Sequence, residues 1–347
     1  MQNAQNIDKL IIGIDVSKKD LDVAYWQNHP QSKSIFLGKF PNSPHGFETI
    51  AREAEKKQAE TNAASVFVVL EPTGGYEQKF AHFAHELGWD VSLPNPKQVR
   101  DWIKGTGRRA KTDRIDALML AHYGAVQNPY TWKPVSPEVA QLESMLDRLE
   151  DLKGMLAQEK NRLEAQQNRV SCHHTASKNL QDNIASLERQ VEALEEAIKE
   201  HMKQHSHLKD QCKNLKTVSG VGDILGPRML VAMHRFGELT DFKGTSKAIT
   251  AYFGLDPKPH ESGTSIRKRA GISRQGNSEI RHFLYMGALG GVGGNNPLRS
   301  FYKNLVENNG KPKKLAMVAA ARKILIWCWA VFRQGKPFDA TKCGSVC

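Results

Sequence analysis

Two acidic residues stand where apolar runs of the sequence end. Asp15 closes the run Leu10–Asp15, and Glu71 follows Ser65–Leu70, the most apolar run of the N-terminal region. A buried strand does not normally end in a carboxylate that lacks a partner or a function. If the two strands are neighbours, the carboxylates lie side by side, and a divalent cation between them removes their mutual repulsion.

A second acidic pair occurs in the segment KTDRIDALMLA. Asp113 and Asp116 are three residues apart, so on a helix they share one face. Together with Asp15 and Glu71 they would supply four carboxylates, a donor set that suits Mg²⁺. Two such ions can stabilise both the attacking and the leaving oxygen of a phosphoryl displacement.

Each acid also has a simpler interpretation. Asp15 could cap a turn, and the D-x-x-D pair could be a solvated face or a first turn favoured by the helix dipole. Glu71, directly before Pro72, is the hardest to explain in that way. Of the neighbouring acids, we expect Asp20 to lie on the surface and Asp22 on an edge strand.

The elements that must position these acids follow an α/β pattern over residues 8 to about 128. The runs Leu10–Asp15, Leu21–Trp26 and Ile35–Phe40 predict three successive strands, arranged as an antiparallel meander. Ser65–Leu70 predicts a central buried strand. The other predicted elements are helices around His45–Lys57, Gln78–Leu87 and Thr112–Gly124, and a strand at Asp90–Leu93.

Basic residues precede the D-x-x-D segment. With Asp101 as the only acid among them, they suit contacts with a phosphate backbone beside the four acids. A solvated helix and loop is the alternative. These basic residues are Lys97, Arg100, Lys104, Arg108, Arg109 and Lys111.

The pattern changes over residues 139 to about 207, which contain no proline and are rich in Glu, Gln, Lys and Leu. Apolar residues spaced by three and four from Leu142 to Leu156, and again from Leu180 to Ile198, form two heptad seams. The polar stretch Ser171–Lys178 predicts either the turn of a helical hairpin or a weak point in one long rod. We expect a coiled-coil arm that serves as a spacer or mediates homo-oligomerisation, with a packed helical domain as the alternative.

The chain carries 49 Lys and Arg against 37 Asp and Glu, with a pI near 9.4. The excess lies in residues 213–347, which hold 22 basic and 8 acidic residues, a net charge of +14, whereas the remainder has a net charge of −2. Solubility does not require such segregation, so we expect this segment to bind nucleic acid.

Two parts of this basic segment, which is predicted to be mostly helical, could contact nucleic acid. Gly220 and Gly222 predict a turn before a helix, whose amides could cradle a phosphate as in a helix-hairpin-helix motif. Residues 260–277 predict a polar loop in which Ser262 is one of four hydroxyl residues that could supply a nucleophile, although an ordinary loop serine is the alternative. The nearby cations are Arg267, Lys268, Arg269 and Arg274, and His260 is expected to be a surface or phosphate contact.

Five cysteines without a CxxC pair predict free thiols in a reducing compartment. The N-terminus lacks the pattern of a signal peptide, and no apolar run approaches the ~20 residues of a membrane span. We therefore expect a cytoplasmic protein without a membrane partner.

The motifs GIDVSKKDLDVA, LEPTGGYE, NPKQVR and KTDRIDALMLA together resemble the N-terminal RuvC-like domain of the bacterial DEDD transposases of insertion-sequence family one-hundred-ten. These are related to the Piv-type pilin-gene DNA invertases, and the resemblance extends over nearly the whole chain. It implies an α/β RNase H-like (RuvC-like) N-terminal fold in which Asp15, Glu71, Asp113 and Asp116 are the catalytic acids that bind Mg²⁺, with two ions expected.

The segment ESGTSIR resembles the catalytic-serine loop of the same family. The resemblance implies that Ser262 attacks DNA to form a phosphoserine, in a composite site shared between subunits. It also implies donor and target DNA as substrates and, at least in some members, an element-encoded guide RNA. We expect a RuvC-like catalytic domain in residues 1–130, a helical coiled-coil arm in 131–212 and a mostly α-helical, basic, serine-bearing domain in 213–347.

Other functions remain open at this point. A site-specific DNA invertase without guide RNA and a stand-alone RuvC-like junction nuclease would use the same acids. GIDVSKKDLDVA also resembles the phosphate loop of actin-like sugar kinases, but the second nucleotide loop that those proteins need does not appear in the sequence. A non-catalytic DNA architectural protein would leave Glu71 unexplained.

Overall fold

The computed structural model describes residues 9–27, 33–107, 112–262 and 266–341, and it describes the backbone but not the side chains of residues 259–262 and 266–270. The chain divides into two compact units, and the main boundary between them follows Pro134.

A five-stranded sheet forms the centre of the first unit. Its order is β3-β2-β1-β4-β5, in which β1, β2 and β3 pair antiparallel whereas β4 and β5 run parallel to β1. The predicted antiparallel meander is confirmed, and the predicted buried strand lies directly beside β1. The strands are β1 (Lys9–Val16), β2 (Asp20–Gln27), β3 (Lys33–Pro41), β4 (Ser65–Leu70) and β5 (Asp90–Ser92).

Helices cover both faces of this sheet. The apolar side chains of α1 (Pro44–Thr61) and α2 (Gln78–Glu86) join one cluster with the strands, and those of α3 (Pro96–Gly105) and α4 (Asp113–Gln127) join another. The α/β prediction for this region is therefore confirmed.

Helix α3 was not among the predicted elements, because its start was interpreted only as the end of a strand. The Asn95 side chain accepts the N–H of Lys97 at 2.9 Å, and Pro96 occupies the first helical position, where a missing N–H costs nothing.

Two long helices open the second unit. α5 (Pro137–Gln167) and α6 (His174–Gln204) form an antiparallel hairpin, with Lys153–Glu195 and Lys160–Glu188 ion pairs of 2.8 Å along it. The hairpin is thus observed rather than the single rod. The two apolar seams pack against each other within one chain, so they are not left open for a second copy, and homo-oligomerisation through a coiled coil stays a prediction.

The base of this hairpin shares one apolar core with the basic C-terminal segment. Leu142 and Ile198 belong to the same buried cluster as Met229 and Leu325. The division of residues 131–347 into an arm and a separate domain therefore stays a prediction. The remaining elements are α7 (Ser206–Leu215), α8 (Leu225–Thr240), α9 (Ser246–Tyr252), β6 (Pro257–Ser262), β7 (Ile266–Ile272), α10 (Ser278–Gly291), α11 (Pro297–Lys303), a π-helical turn (Asn304–Asn308) and α12 (Lys313–Gln334).

Helix α12 contradicts the expectation that no apolar run approaches the length of a membrane span. Within the described residues it is the one helix long and apolar enough to cross a membrane by length and composition, and 56% of its apolar window is buried. Ile324, Leu325 and Trp329 of this helix belong to the core of the second unit.

The cysteines that the structure describes are free thiols. Cys212 and Cys328 are buried and Cys172 is exposed. Cys343 and Cys347 lie outside the described residues.

Candidate active site

Glycine at position 13 allows helix α4 to lie directly on strand β1. A Cβ atom added to Gly13 would stand 2.1 Å from Ala121 N and 2.4 Å from Ala117 O, closer than real side chains approach. At Gly124 the added atom would be 2.9 Å from Ile11. Because later residues of α4 lie over earlier residues of β1, the first turn of α4 reaches the C-terminal end of β1.

Asp15 and Glu71 lie next to each other at that end of the sheet. In the parallel pairing of β1 with β4, Ile14 is opposite Leu70, and the residues that follow are Asp15 and Glu71. Side chains alternate along a strand, so Asp15 is on the same face as Gly13, which is the face that α4 covers. The structure thus brings the first two predicted acids together.

The other two predicted acids stand in the first turn of α4. The Thr112 hydroxyl caps the helix by accepting the N–H of Ile115 at 3.3 Å. Asp113 and Asp116 follow, at the end of the helix where its dipole favours negative charge. All four acids therefore meet at the C-terminal end of β1, and we call Asp15, Glu71, Asp113 and Asp116 the acidic cluster.

The pKa of Asp15 is raised from its ordinary 3.8 to about 6. Burial is the largest cause, and the negative charges of Asp116, Asp113 and Glu71 follow in that order. The carboxylates are therefore close enough to repel one another.

Asp22 is a fifth acid at this place, and the expectation that it lies on an edge strand is wrong because β2 is flanked by β1 and β3. It is opposite Asp15 in the β1–β2 pairing, and only 8% of it is exposed. Burial raises its pKa, whereas Lys39, with Nζ 3.8 Å from the carboxylate, lowers it. The alternation in DLDVA could have indicated this position. Leu21 and Val23 point into the core on one face of the sheet, so Asp22 between them points to the other face.

Arg100 of α3 reaches the acidic cluster. Its Nη2 donates to Glu71 Oε1 at 3.2 Å, and the exposed fraction of the side chain is 17% for Glu71 and 62% for Arg100. On the same helix, Lys97 is exposed and Lys104 lies 3.8 Å from Asp101. One predicted phosphate contact is therefore bound to a predicted metal ligand. The predicted contacts Arg108, Arg109 and Lys111 lie outside the described residues.

The acidic cluster has the donor chemistry of a divalent-cation site. Within the described residues, no three His, Cys, Asp or Glu side chains converge closely enough to hold a metal ion as they stand. The cluster still fits Mg²⁺ chemically, because it offers several carboxylate oxygens, and a cation would remove the mutual repulsion that adds to burial in raising the pKa of Asp15. To close around an ion these side chains would have to rotate, and an ion that binds Glu71 Oε1 would compete with Arg100 for that oxygen.

Asn42 links the loops that carry the first two acids. Its Nδ2 donates to Ser17 O at 3.0 Å, in the loop after β1, and to Tyr76 O at 3.2 Å, in the loop after β4. This side chain was not among the predicted site residues, because its partners are distant in sequence.

Glu77 organises the turn that follows Glu71. Its Oε2 accepts the backbone N–H groups of Thr73 at 2.9 Å and Gly75 at 3.0 Å, and only 4% of Glu77 is exposed. Gly75 has φ of 96°, a conformation that favours glycine. In LEPTGGYE, an acid two residues after a glycine pair is the pattern that could have predicted this role of Glu77.

Ser262 lies at the end of a β-hairpin in the second unit. Strands β6 and β7 pair antiparallel, with Ser262 opposite Ile266, Glu261 opposite Arg267 and His260 opposite Lys268. The prediction of a polar loop is therefore wrong for the residues of these two strands. A hairpin satisfies its backbone groups across the pair, so a polar sequence without apolar alternation can form one. The side chains of His260, Ser262, Arg267, Lys268 and Arg269 lie outside the described part of the structure.

The base of this hairpin is anchored to the helices that flank it. Arg281 Nη1 donates to four backbone carbonyls, those of Phe253, Gln275, Gly276 and Asn277, at 2.9 to 3.1 Å. Gly254 has φ of 66°, and a Cβ atom there would be 2.0 Å from Gln275 O. Arg274, a predicted phosphate contact, is exposed beside this anchor.

The glycine turn before α8 packs against α10. Gly220 has φ of 92°, and an added Cβ atom would lie 2.5 Å from Gly287 O, so close packing alone requires glycine there. Gly222 is exposed, with nothing within 4 Å of the added atom. Phosphate binding by this turn stays a prediction.

Two family models match this chain. The model DEDD_Tnp_IS110, described as "Transposase", matches residues 12–172, and the model described as "Transposase IS116/IS110/IS902 family" matches residues 212–303. The pilin gene-inverting proteins of Moraxella bovis and Moraxella lacunata are each 32% identical over 339 residues, which is 96% of this chain and 98% of each relative.

Two solved structures are similar to part of the chain. T. thermophilus RuvC in complex with a Holliday junction substrate is 18% identical, with a TM-score of 0.27, and the match covers 34% of this chain and 94% of that one. Thermus thermophilus RuvC is 17% identical, with a TM-score of 0.26, over 34% and 96% of the two chains.

The two family models match both parts of the chain, and the pilin gene-inverting proteins match it almost from end to end. The enzymes that these matches describe rearrange DNA. The chain therefore belongs to the family of IS110 transposases and pilin gene-inverting proteins, and it is a DNA-processing recombinase.

Proposed function

We propose that this protein is a metal-dependent, site-specific recombinase that cuts and rejoins DNA strands, with the acidic cluster as its Mg²⁺ site and Ser262 as its nucleophile. The observation that carries the proposal is the meeting of Asp15, Glu71, Asp113 and Asp116 at one end of β1. The sheet order β3-β2-β1-β4-β5 supports the RNase H-like fold that the family resemblance implies.

The acidic cluster would hold the metal from two directions. Asp15 and Glu71 come from neighbouring strands, and Asp113 and Asp116 come from the first turn of α4. Bound divalent ions would supply electrostatic stabilisation to the attacking and leaving oxygens of the phosphoryl transfer. Asp15, with its raised pKa, would lose its excess proton affinity on binding a cation.

Ser262 is the proposed nucleophile because ESGTSIR resembles the serine loop of the family. A bond forms between Ser262 Oγ and a DNA phosphorus, while the bond between that phosphorus and a deoxyribose oxygen breaks. The deoxyribose oxygen leaves as a hydroxyl, which takes up one proton as the serine hydroxyl loses one. Attack by a hydroxyl of another strand reverses the step, which rejoins DNA and restores the serine. Nearby cations, Arg267, Lys268, Arg269 and Arg274, would stabilise the charge on the phosphoryl group.

A plasmid carrying the gene's native flanking DNA tests this proposal. Recombined junctions are counted by sequencing, and covalent protein–DNA adducts are measured on denaturing gels. D15N, E71Q, D113N and D116N should each abolish junctions, whereas D101N, which removes an exposed acid of α3, should retain them. Recombination by the four cluster variants at the wild-type rate would overturn the metal site.

The serine is tested in the same assay. S262A should abolish both adducts and junctions, and S265A, which removes a hydroxyl from the same segment, is the matched control. If S262A recombines normally while D15N does not, the acidic cluster stands and the serine assignment is lost.

DNA inversion is favoured over transposition by the near end-to-end match to two pilin gene-inverting proteins. The junction sequences separate the two reactions, because inversion flips a segment in place and transposition joins the element to new DNA. Guide RNA also stays a proposal, and sequencing of nucleic acid that copurifies with the wild-type protein tests it.

A further inference from the structure

One face of α11 and the π-helical turn after it lines an open groove of about 290 Å³ in the second unit. Positions separated by three, four, seven and eight residues fall on one face of a helix, so the lining residues of this segment share a face. Val292 of the α10 end and Lys313 at the start of α12 complete the groove. The residues of the shared face are Arg299, Tyr302, Lys303, Val306 and Glu307.

The groove is positively charged. Arg299 is half-buried, and Lys303 and Lys313 are exposed. Among the described residues, none of these three cations forms a salt bridge, and the one hydrogen bond that Arg299 makes through its guanidinium, to Gly293 O, is 3.4 Å long. Glu307 is the one acid of the lining. Converging cations without carboxylate partners attract an anion.

The groove also has an apolar wall next to these cations. Tyr302, Val292 and Val306 are half-buried. An aromatic ring beside cations matches the chemistry of a nucleotide, whose base has a π-face and whose phosphate is anionic. The wall is built on a π-helical turn, closed by a bond from Asn309 N to Asn304 O at 3.1 Å, and such turns are rare and occur frequently at functional sites.

We propose that this groove binds one unpaired nucleotide of a single-stranded nucleic acid segment, with the base on Tyr302 and the phosphate among Arg299, Lys303 and Lys313. A paired and stacked base cannot present its face to Tyr302, so duplex DNA should not fill the groove. The inference rests on the proposed function in that recombination exposes unpaired strands. Binding itself requires neither the acidic cluster nor Ser262.

Fluorescence anisotropy with labelled single-stranded DNA, single-stranded RNA and duplex DNA tests this proposal on the full chain without divalent metal. K303A/K313A should weaken binding to single strands about tenfold or more and reduce the slope of log affinity against log salt by about 0.7, the contribution of the one phosphate that the groove neutralises. R169A/K178A removes the same charge from exposed positions at the tip of the α5–α6 hairpin and should change both quantities much less.

The ring of Tyr302 is tested separately. Y302F should keep the affinity of the wild type. Y302L should lose about tenfold in affinity for single strands and little in affinity for duplex DNA. Unfolding temperatures of both variants show that they are folded. Stronger weakening with RNA than with DNA, or the reverse, identifies the strand. The proposal is overturned if K303A/K313A behaves like R169A/K178A, or if duplex binding falls as much as single-strand binding. Recombination by D15N tests the proposed function and does not enter this assay.

Discussion

The guanidinium of Arg100 lies 3.2 Å from the carboxylate of Glu71. A cation of the protein therefore neutralises part of the acidic cluster at the position where a metal ligand is expected. On the proposed function, metal binding and DNA binding would be linked at this pair, because an ion bound to Glu71 Oε1 would compete with Arg100, and a released arginine would be available to a phosphate.

R100A should make the metal-free protein less stable by up to about 1 kcal/mol, since the pair is partly exposed. It should also gain more stability from Mg²⁺ than the wild type does, because Glu71 no longer has a competing partner. Thermal unfolding with and without millimolar Mg²⁺ measures both effects. K104A, on the same helix, is the control, and equal Mg²⁺ shifts in R100A and wild type would contradict the competition.

D15N should stabilise the metal-free protein at neutral pH while abolishing recombination. The folded-state pKa of Asp15 is raised from 3.8 to about 6, so the folded protein binds a proton more tightly than the unfolded chain. Stability must therefore fall as pH rises from about 4 to 6, and acidification through this window restores it. After allowance for solvent screening, we expect the free energy of unfolding to change by about 1–2 kcal/mol across this window. Unfolding measured in denaturant from pH 4 to 7 checks this, and an unchanged pH profile in D15N would refute the assigned pKa.

G13A should lift α4 away from β1 and separate Asp113 and Asp116 from Asp15. The added methyl group meets backbone atoms at 2.1 and 2.4 Å, and backbone atoms cannot rotate away as a side chain can. We therefore expect the free energy of unfolding to fall by at least about 3 kcal/mol. G154A is the matched control, because Gly154 lies in α5 with open space around it. This variant should gain about 0.5–1 kcal/mol in free energy of unfolding. Chemical denaturation measures both, and a neutral G13A would mean that α4 does not sit on Gly13.

N42A and N42D should both slow recombination by about tenfold at limiting Mg²⁺ and by less at saturating Mg²⁺. Each removes the two N–H donors that join the loops after β1 and β4, so the acids lose their alignment and metal affinity falls. N42D keeps the shape of the side chain. If it works as well as the wild type, Asn42 only fills space.

His234 should make the second unit less stable in acid, a dependence opposite in sign to that of Asp15. Burial lowers its pKa from 6.5 to about 4, and its Nε2 lies 2.9 Å from Gln211 Oε1. The unfolded chain takes up a proton near pH 6.5 and the folded chain only near pH 4, so stability falls across that window by up to about 3 kcal/mol. Hydrogen exchange of each unit between pH 4 and 7 measures this. H234Q should remove the dependence, and H174Q, at an exposed histidine, should not.

The local elements around the acidic cluster are predictable from sequence because their signals are short-range. The strand Ser65–Leu70 is found at its predicted bounds, and the helix predicted at Thr112–Gly124 is observed at Asp113–Gln127. Strand alternation, helix caps and the three-residue spacing of Asp113 and Asp116 depend only on neighbours along the chain. The types of the four acids, and the ends of elements on which they stand, were therefore evident without coordinates.

Contacts between segments that are distant in sequence could not be predicted and are evident only in the folded structure. The closeness of α4 to β1 depends on Gly13 meeting residues more than a hundred positions away, and Asp22, Asn42 and Arg100 acquire their roles from partners on other elements. The Ser262 hairpin likewise forms by pairing backbone groups, which side-chain pattern does not encode. Local preference selects a helix or a strand, but strand order, helix approach and the electrostatic coupling of carboxylates arise only when packing brings separate segments together.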